Sequence, residues 1–219
     1  MSPQENLRSV NYGNLVSGER YTPESWQRQY SPVDDWDETF RNGNWDDLGD
    51  LSQAARHALI AGYVHKLVRR GHVLDAGCGE GVLIDYFDTA RIEYTGFDIS
   101  RTAIQRAQEQ HPSARLCSSS IEDFVPPAGV QYDAVIFNDS LSTLKSPIEM
   151  IDRYSAFVRP AGYIIVSQYQ SPNPLGNGAL LTRMFEAELA AGRYRVAVRT
   201  EVVNRDTDRR WRSYCLTGV

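Results

Sequence analysis

The stretch HVLDAGCGEGVL, residues 72–83, sets three glycines at alternate positions directly after a short apolar run. A buried strand that ends in glycines leaves its main chain open at the tip, because no Cβ blocks a close neighbour. Open α/β sheets bind ligands at that carboxyl edge. This one turn narrows the architecture before any other segment is read.

The following segments supply the rest of the sheet. HVLDA reads as a buried strand and GVLIDYFDTA as the start of a helix. IEYTGFD is a second strand. SRTAIQRAQEQH is a helix with Ser100 as N-cap, ending before Pro112. ARLCS is a third strand and QYDAVIFN a fourth. The helix PIEMIDRYSAFV carries Pro147 in its first turn, and AGYIIVS is a fifth strand. This alternation predicts a mostly parallel sheet with helices on both faces. Upstream, LSQAARHALIAGYVHKLVRR has a helical period that sets Ala55, Leu59, Tyr63, Val64, Leu67 and Val68 on one stripe, with Gly71 as its stop. Downstream, GALLTRMFEAELAAG is a helix. YRVAVRTEVV and RRWRSYCLTGV, separated by NRDTD, pair as an antiparallel hairpin at one sheet edge. Arg205, Arg209, Arg210 and Arg212 read as solvated charges near its tip, interleaved with Asp206 and Asp208.

Residues 1–50 differ. They are polar and turn-rich, with no sustained period, yet hold Tyr12, Tyr21, Trp26, Tyr30, Trp36, Phe40 and Trp45. A disordered segment would be depleted in such rings. An ordered cap is expected here, or a lid that orders on binding, ahead of one α/β domain over 51–219.

Composition removes several classes. Lysine and arginine number 23 against 28 acids, a net charge of −5, which suits no duplex nucleic acid. No apolar run approaches the ~20 residues a membrane helix needs. MSPQENLRSVNYGN lacks the basic-then-apolar pattern of a signal peptide, so a cytoplasmic chain is expected. Cys78, Cys117 and Cys215 form no CxxC pair and read as reduced thiols. His57 and His65 are eight apart on one helix, not four, and His72 and His111 are isolated, so no metal is expected.

The glycine turn itself selects a ligand. A dinucleotide site is written G-x-G-x-x-G. Here Gly77, Gly79 and Gly81 are followed by Val82 where that site wants its third glycine. Glu80 inside the turn and Asp75 at the strand end would oppose a pyrophosphate. Asp98 ends the second strand 21 residues beyond Gly77, where an acid can take both hydroxyls of a ribose. A ribose-bearing cation without a phosphate chain fits, and S-adenosylmethionine is such a compound.

On these residues the chain resembles the class I S-adenosylmethionine-dependent methyltransferases of small-molecule type. LDAGCGEGVL resembles that family's first motif and YTGFDIS its ribose-binding acid. SSSIEDF falls where the family reads adenine, YDAVIFNDSLSTL corresponds to its fourth-strand motif, and VRPAGYIIVS to its strand-five segment. The resemblance covers roughly residues 50–219. It implies a doubly wound, mostly parallel seven-stranded sheet in the order 3-2-1-4-5-7-6, with strand 7 antiparallel. It also implies a cofactor site built from Asp75, Gly77, Cys78, Gly79, Gly81, Asp98, Ile99 and Asn138. Adenine would be read by Ser120, the backbone at Ile121, or Glu122. A looser likeness to methyltransferases of bacterial sugar and amine biosynthesis adds Trp45 and Arg56, the arginine for the methionine carboxylate; otherwise Arg56 is a surface helix charge.

Many members carry Glu-His after strand four; this chain has Ser142-Thr143. Asp139 is then the candidate to orient an acceptor hydroxyl or hold an amine, against a plainer role as a cap for the next turn. Three functional readings follow. One is an O- or N-methyltransferase for a small molecule, in natural-product or sugar biosynthesis. The second is an enzyme that uses the sulfonium for cyclisation, elimination or rearrangement. The third is a non-catalytic cofactor-binding partner. Monomer and homodimer are both compatible with the sequence.

Overall fold

The computed structural model describes residues 33–173 and 176–217. Tyr12, Tyr21, Trp26 and Tyr30 lie outside the described residues. The helices are α1 (Val33–Arg41), α2 (Leu51–Leu67), α3 (Arg101–Gln110), α4 (Pro147–Ser155) and α5 (Asn177–Ala190). The strands are β1 (Gly71–Ala76), β2 (Ile92–Asp98), β3 (Arg115–Ser118), β4 (Tyr132–Asn138), β5 (Val158–Tyr169), β6 (Arg195–Asn204) and β7 (Arg209–Thr217). They form one sheet in the order β3-β2-β1-β4-β5-β7-β6. Pairing is parallel from β3 through β5 and antiparallel at β5–β7 and β6–β7. The expected topology is the observed one.

Helices cover both faces, so the central strands are apolar on both sides. On β4, Val135 and Phe137 point to one cluster with Phe97, Tyr154 and Ile164. Ala134 and Ile136 point to the other, where Ile60, Ala61 and Val64 of α2 cover Val73 and Ile165. Ser100 caps α3 as its sequence suggests, its hydroxyl accepting from the Ala103 amide at 3.1 Å. Pro147 stands in the first turn of α4.

Three local expectations fail. The segment after the glycine turn is a 3-10 turn over Val82–Tyr86, not a helix. Gly81 at φ 77° leads into this turn, and the Phe87 amide closes it on the Ile84 carbonyl at 3.1 Å. Gly71 does not stop α2; it opens β1, and a Cβ on it would lie 2.2 Å from Asp133 Oδ2. The buried stripe of α2 is also rotated from the expected one. It runs through Gln53, Arg56, His57, Ile60, Ala61 and Val64, while Ala55 is exposed and Leu59 and Tyr63 are only partly covered. The polar half of that stripe faces a cavity. No helix among the described residues is long and apolar enough to cross a membrane.

Candidate active site

A cavity of about 670 Å³ opens at the carboxyl ends of β1, β2, β4 and β5. Its floor at one end is the glycine turn. Gly77 and Gly79 take the left-handed conformation, with φ of 79° and 55°. A Cβ on Gly77 would sit 2.5 Å from Ser140 Cβ, so the turn and the loop after β4 approach too closely for any side chain there. Asp98, at the tip of β2, ties this turn down. Its Oδ2 accepts from the Gly79 amide and its Oδ1 from the Ser100 amide, both at 2.9 Å. Ile99, Cys78, Ile121 and Glu122 complete this end. The main chain at 121–122 is pinned from behind: Tyr154 donates to the Ile121 carbonyl at 2.8 Å, and Arg153 donates to the Glu122 carbonyl.

The roof comes from the segment before α2. Trp36, Phe40, Trp45, Asp47 and Leu48 line the cavity from above. Trp36 and Trp45 stack with centroids 5.9 Å apart. Polar contacts moor this roof to the body. Asp37 Oδ1 accepts from Ser100 Oγ at 2.7 Å and the Thr102 amide at 3.0 Å, which holds its carboxyl below the ordinary carboxylate range. Arg106 donates to the Phe40 carbonyl at 3.0 Å, and Arg209 to Asp47 Oδ2 at 2.6 Å.

Between the two ends stands a buried polar cluster. Arg56 is 2% exposed. Its Nε donates to Gln53 Oε1 at 3.0 Å, and its Nη1 to Asn138 Oδ1 at 2.7 Å and Asp139 Oδ2 at 2.5 Å. The guanidinium also lies 5.3 Å from the Trp211 ring centroid. Asp139 sits at φ 62° and binds the Tyr169 amide through Oδ1 at 2.5 Å. The Trp211 indole donates to its Oδ2 at 3.0 Å. Burial raises this carboxyl, with Arg56, the Tyr169 amide and Trp211 pulling the other way. His57 completes the cluster. Asn138 Nδ2 donates to its Nδ1 at 3.4 Å, so Nε2 carries the proton that reaches the Leu48 carbonyl at 3.1 Å. The ring is the neutral Nε2 tautomer, and burial beside Arg56 pulls its pKa down to about 4.

Of the residues the sequence singles out, Trp45, Arg56, Gly77, Cys78, Gly79, Asp98, Ile99, Ile121, Glu122, Asn138 and Asp139 line this cavity. Three do not. Asp75 lies beneath the turn, 1% exposed, with Oδ2 accepting from Tyr94 at 2.8 Å and Oδ1 unpartnered among the described residues. Gly81 serves packing, since a Cβ there would meet Ile84 Cδ1 at 3.0 Å and Ala107 Cβ at 3.5 Å. Ser120 turns its hydroxyl to Asp123 Oδ2 at 2.7 Å and accepts from the Asp123 amide at 3.0 Å. Glu80 leaves the turn to pair with Arg106 at 2.7 Å, so it carries no bare charge toward a ligand. Arg56 is no surface charge, and Arg209 reaches the cavity rim, paired with Asp47 while its side chain stays 37% exposed. Sequence reasoning passed over His57, Gln53, Arg209 and Trp211 as cavity residues; Gln168 and Tyr169 open the stretch QYQSPNPLGNGALLTRM, which the sequence reads as a turn-rich loop facing substrate. No His, Cys, Asp and Glu grouping among the described residues has the form of a metal site.

Asp75 and His57 make opposing contributions to the pH profile. Burial lifts Asp75 to about 7 from an ordinary 3.8. Its native state holds a proton that the unfolded chain releases, so its contribution is lost as pH rises through that window. His57 falls to about 4 from 6.5, so its contribution is lost as pH drops below 6.5. In the wild-type chain the two slopes oppose each other between these limits. Asp75→Asn is expected to unmask the histidine and lose about 2 kcal/mol more than wild type between pH 7 and pH 5. Urea unfolding at both pH values reads this directly; parallel profiles for the two proteins would show that Asp75 does not titrate there.

The sheet order, its antiparallel last pair and a cleft at the tips of β1, β2 and β4 define the class I S-adenosylmethionine-dependent methyltransferase fold. Residues 51–211 match the sequence model of a family described as methyltransferase domain, and the chain belongs to that family. The ubiquinone biosynthesis O-methyltransferase of Vibrio vulnificus (strain YJ016) is 28% identical over 99 residues, 43% of this chain and 42% of that protein. The match thus spans about two-fifths of that relative's length. The fold recurs in 1,6-didemethyltoxoflavin-N1-methyltransferase of Burkholderia thailandensis, solved with 1,6-didemethyltoxoflavin and S-adenosylhomocysteine. That structure has a TM-score of 0.67 at 17% identity, with 92% of each chain covered. It recurs also in the N-methyltransferase NodS of Bradyrhizobium japonicum WM9, in complex with S-adenosylhomocysteine. There the TM-score is 0.63 at 14% identity, covering 89% of this chain and 96% of that one.

Proposed function

We infer that the cavity holds S-adenosylmethionine and that the chain transfers its methyl group to an oxygen or nitrogen of a small molecule. The observation that carries the reading is the Asp98 carboxylate, which lines the cavity while gripping the glycine turn through the Gly79 amide. The cavity residues fit the cofactor on three counts. Gly77 and Gly79 leave a bare backbone cradle. Asp98 offers a carboxylate whose oxygens keep spare lone pairs for ribose hydroxyls. The two cavity arginines each face an aspartate, Arg56 with Asp139 and Arg209 with Asp47, which leaves little net positive charge there for a pyrophosphate while Arg56 Nη2 keeps one donor for a carboxylate.

In this reading Gly77, Cys78 and Gly79 hold the methionine portion, Asp98 and Ile99 the ribose, and Ile121 and Glu122 the adenine. Arg56 keeps Nη2 as the donor group for the cofactor carboxylate, and Trp45 covers the sulfur side. Asn138 orients Arg56 and His57. When bound, the cofactor supplies an activated methyl carbon; the protein aligns the acceptor and excludes water. Asp139, raised by burial, orients an acceptor hydroxyl or amine and is a stronger base than a free carboxylate. Trp36, Phe40, Trp45 and Leu48, which line the cavity from above, act as the cap over the reacting atoms.

Calorimetry and product mass together test this. S-adenosylhomocysteine is expected to give saturable heat and NADH none, and an acceptor product is expected to gain about 14 mass units from the cofactor methyl. NADH saturation without S-adenosylhomocysteine binding sinks the cofactor assignment. A product of unchanged mass moves the chemistry to cyclisation, elimination or rearrangement.

A further inference from the structure

The roof and the arginine of the cavity hang from one face of α2. Gln53 and His57 stand one helical turn apart, flank Arg56 and line the same cavity. Both are buried, 5% and 2% exposed. Each reaches outward to the 3-10 turn Asp46–Gly49 of the roof. Gln53 Nε2 donates to Asp47 Oδ2 at 3.3 Å, and His57 Nε2 donates to the Leu48 carbonyl at 3.1 Å. Each also reaches inward to the arginine. Gln53 Oε1 accepts from Arg56 Nε at 3.0 Å. His57 Nδ1 accepts from Asn138 Nδ2 at 3.4 Å, and Asn138 Oδ1 accepts from Arg56 Nη1 at 2.7 Å.

The guanidinium sets the direction of every donor in these two lines, because it can only donate. Gln53 therefore turns its oxygen to Arg56 and its NH2 to Asp47. Asn138 turns its oxygen to Arg56 and its NH2 to His57, which places the imidazole proton on Nε2, facing Leu48. A shifted guanidinium removes the reason for both orientations, and both roof contacts lose their donor. Arg56 Nη2 bonds no described residue and is not among the sealed polar atoms, so it is open to the cavity. One end of the fork thus faces a ligand while the rest of it is tied to the roof.

We propose that Gln53 and His57 are positioning residues that couple the roof to the ligand: a carboxylate drawn to Nη2 fixes Arg56, and Arg56 fixes the roof turn over the cavity. Capture of the amino-acid arm and seating of the roof are then one event, and the coupling reads equally from either side. It deepens the cofactor reading above, since it rests on Arg56 as the carboxylate donor.

The test compares S-adenosylhomocysteine with 5′-methylthioadenosine, which keeps the adenosine and the sulfur but lacks the amino-acid arm. Calorimetry reads affinity, and hydrogen exchange at the amides of residues 44–50 reads the seating of the roof. In wild type, saturating S-adenosylhomocysteine is expected to slow that exchange about fivefold more than saturating methylthioadenosine. Gln53→Leu and His57→Phe are each expected to abolish this difference and to weaken S-adenosylhomocysteine about tenfold. Methylthioadenosine is expected to stay within about twofold of wild type. A role in packing alone would move both ligands together. The wild-type exchange comparison needs no variant and stands should either variant fail to fold. Arg56→Met separates the two claims. Absence of S-adenosylhomocysteine binding to wild type, or an equal effect of Arg56→Met on both ligands, overturns the reading of Arg56 and the coupling with it. Where Arg56→Met weakens S-adenosylhomocysteine selectively, three results overturn the coupling alone: equal roof protection by the two ligands in wild type, Gln53 and His57 variants that bind S-adenosylhomocysteine as wild type does, or variants that weaken both ligands alike.

Discussion

Asp98→Ala is expected to weaken S-adenosylhomocysteine binding by about 100-fold or more, the equivalent of about 2.7 kcal/mol. Asp98 is 8% exposed and grips two backbone amides, Gly79 at the glycine turn and Ser100 at the start of α3. Hydrogen bonds to a charged group contribute about 1.5–3 kcal/mol each. Two ribose hydroxyls lost together account for the expected drop without any change in the turn. The freed Gly79 amide adds to it, since the cradle is no longer held. Asp98→Asn separates these parts. It keeps one oxygen acceptor but turns an amide donor toward a backbone N–H, so it is expected to fall close to the alanine variant. Circular dichroism establishes that each variant is folded. A folded Asp98→Ala that binds S-adenosylhomocysteine within about fivefold of wild type would sink the ribose assignment while leaving the cavity itself in place.

The parts of this site that the sequence discloses are those whose position follows from a short-range rule. The glycine turn is such a case, because the strained backbone at Gly77 and the close approach of Ser140 leave one residue type. Asp98 is another, fixed at a strand tip by parallel pairing of β1 with β2. Ser100 caps its helix by a contact three residues long. The sheet order follows from alternating apolar runs. What is hidden depends on contacts between distant segments. Arg56 meets Asp139 across 83 residues of chain, and Trp211 reaches the same carboxylate from 72 residues away. Amphipathic spacing misplaces the buried face of α2 for the same reason. It counts Gln53, Arg56 and His57 as polar and sends them to solvent, although a polar cavity takes them. Arg209 looks like a hairpin charge until its partner, Asp47, is found in the roof. Ser120 and Asp75 fail in the opposite sense. Both occupy motif positions, yet their polar atoms are taken by Asp123 and Tyr94 or buried away from the cavity.

The Arg56–Asp139 pair is where the fold and the site depend most on each other, and Asp139→Ala is expected to cost about 3 kcal/mol of stability. The cost arises from the arginine left behind. Arg56 is 2% exposed, so its cation cannot regain water when the carboxylate is removed. The backbone adds a smaller part, since residue 139 sits at φ 62°, where alanine is strained by about 1 kcal/mol. Asp139→Asn removes the charge but tolerates the left-handed turn, and it keeps an oxygen for Arg56 or for the Tyr169 amide. It is expected to lose about half as much. The double variant Arg56→Met, Asp139→Asn removes the stranded cation and is expected to be more stable than Asp139→Asn alone, because an apolar pair often replaces a buried ion pair with little loss. Urea unfolding of the wild type, Arg56→Met, Asp139→Asn and the double closes the cycle, with a coupling of about 2 kcal/mol expected. An Asp139→Ala loss below about 0.5 kcal/mol would mean that Arg56 is solvated as a surface arginine would be. The wall between the two ends of the cavity would then be open to water.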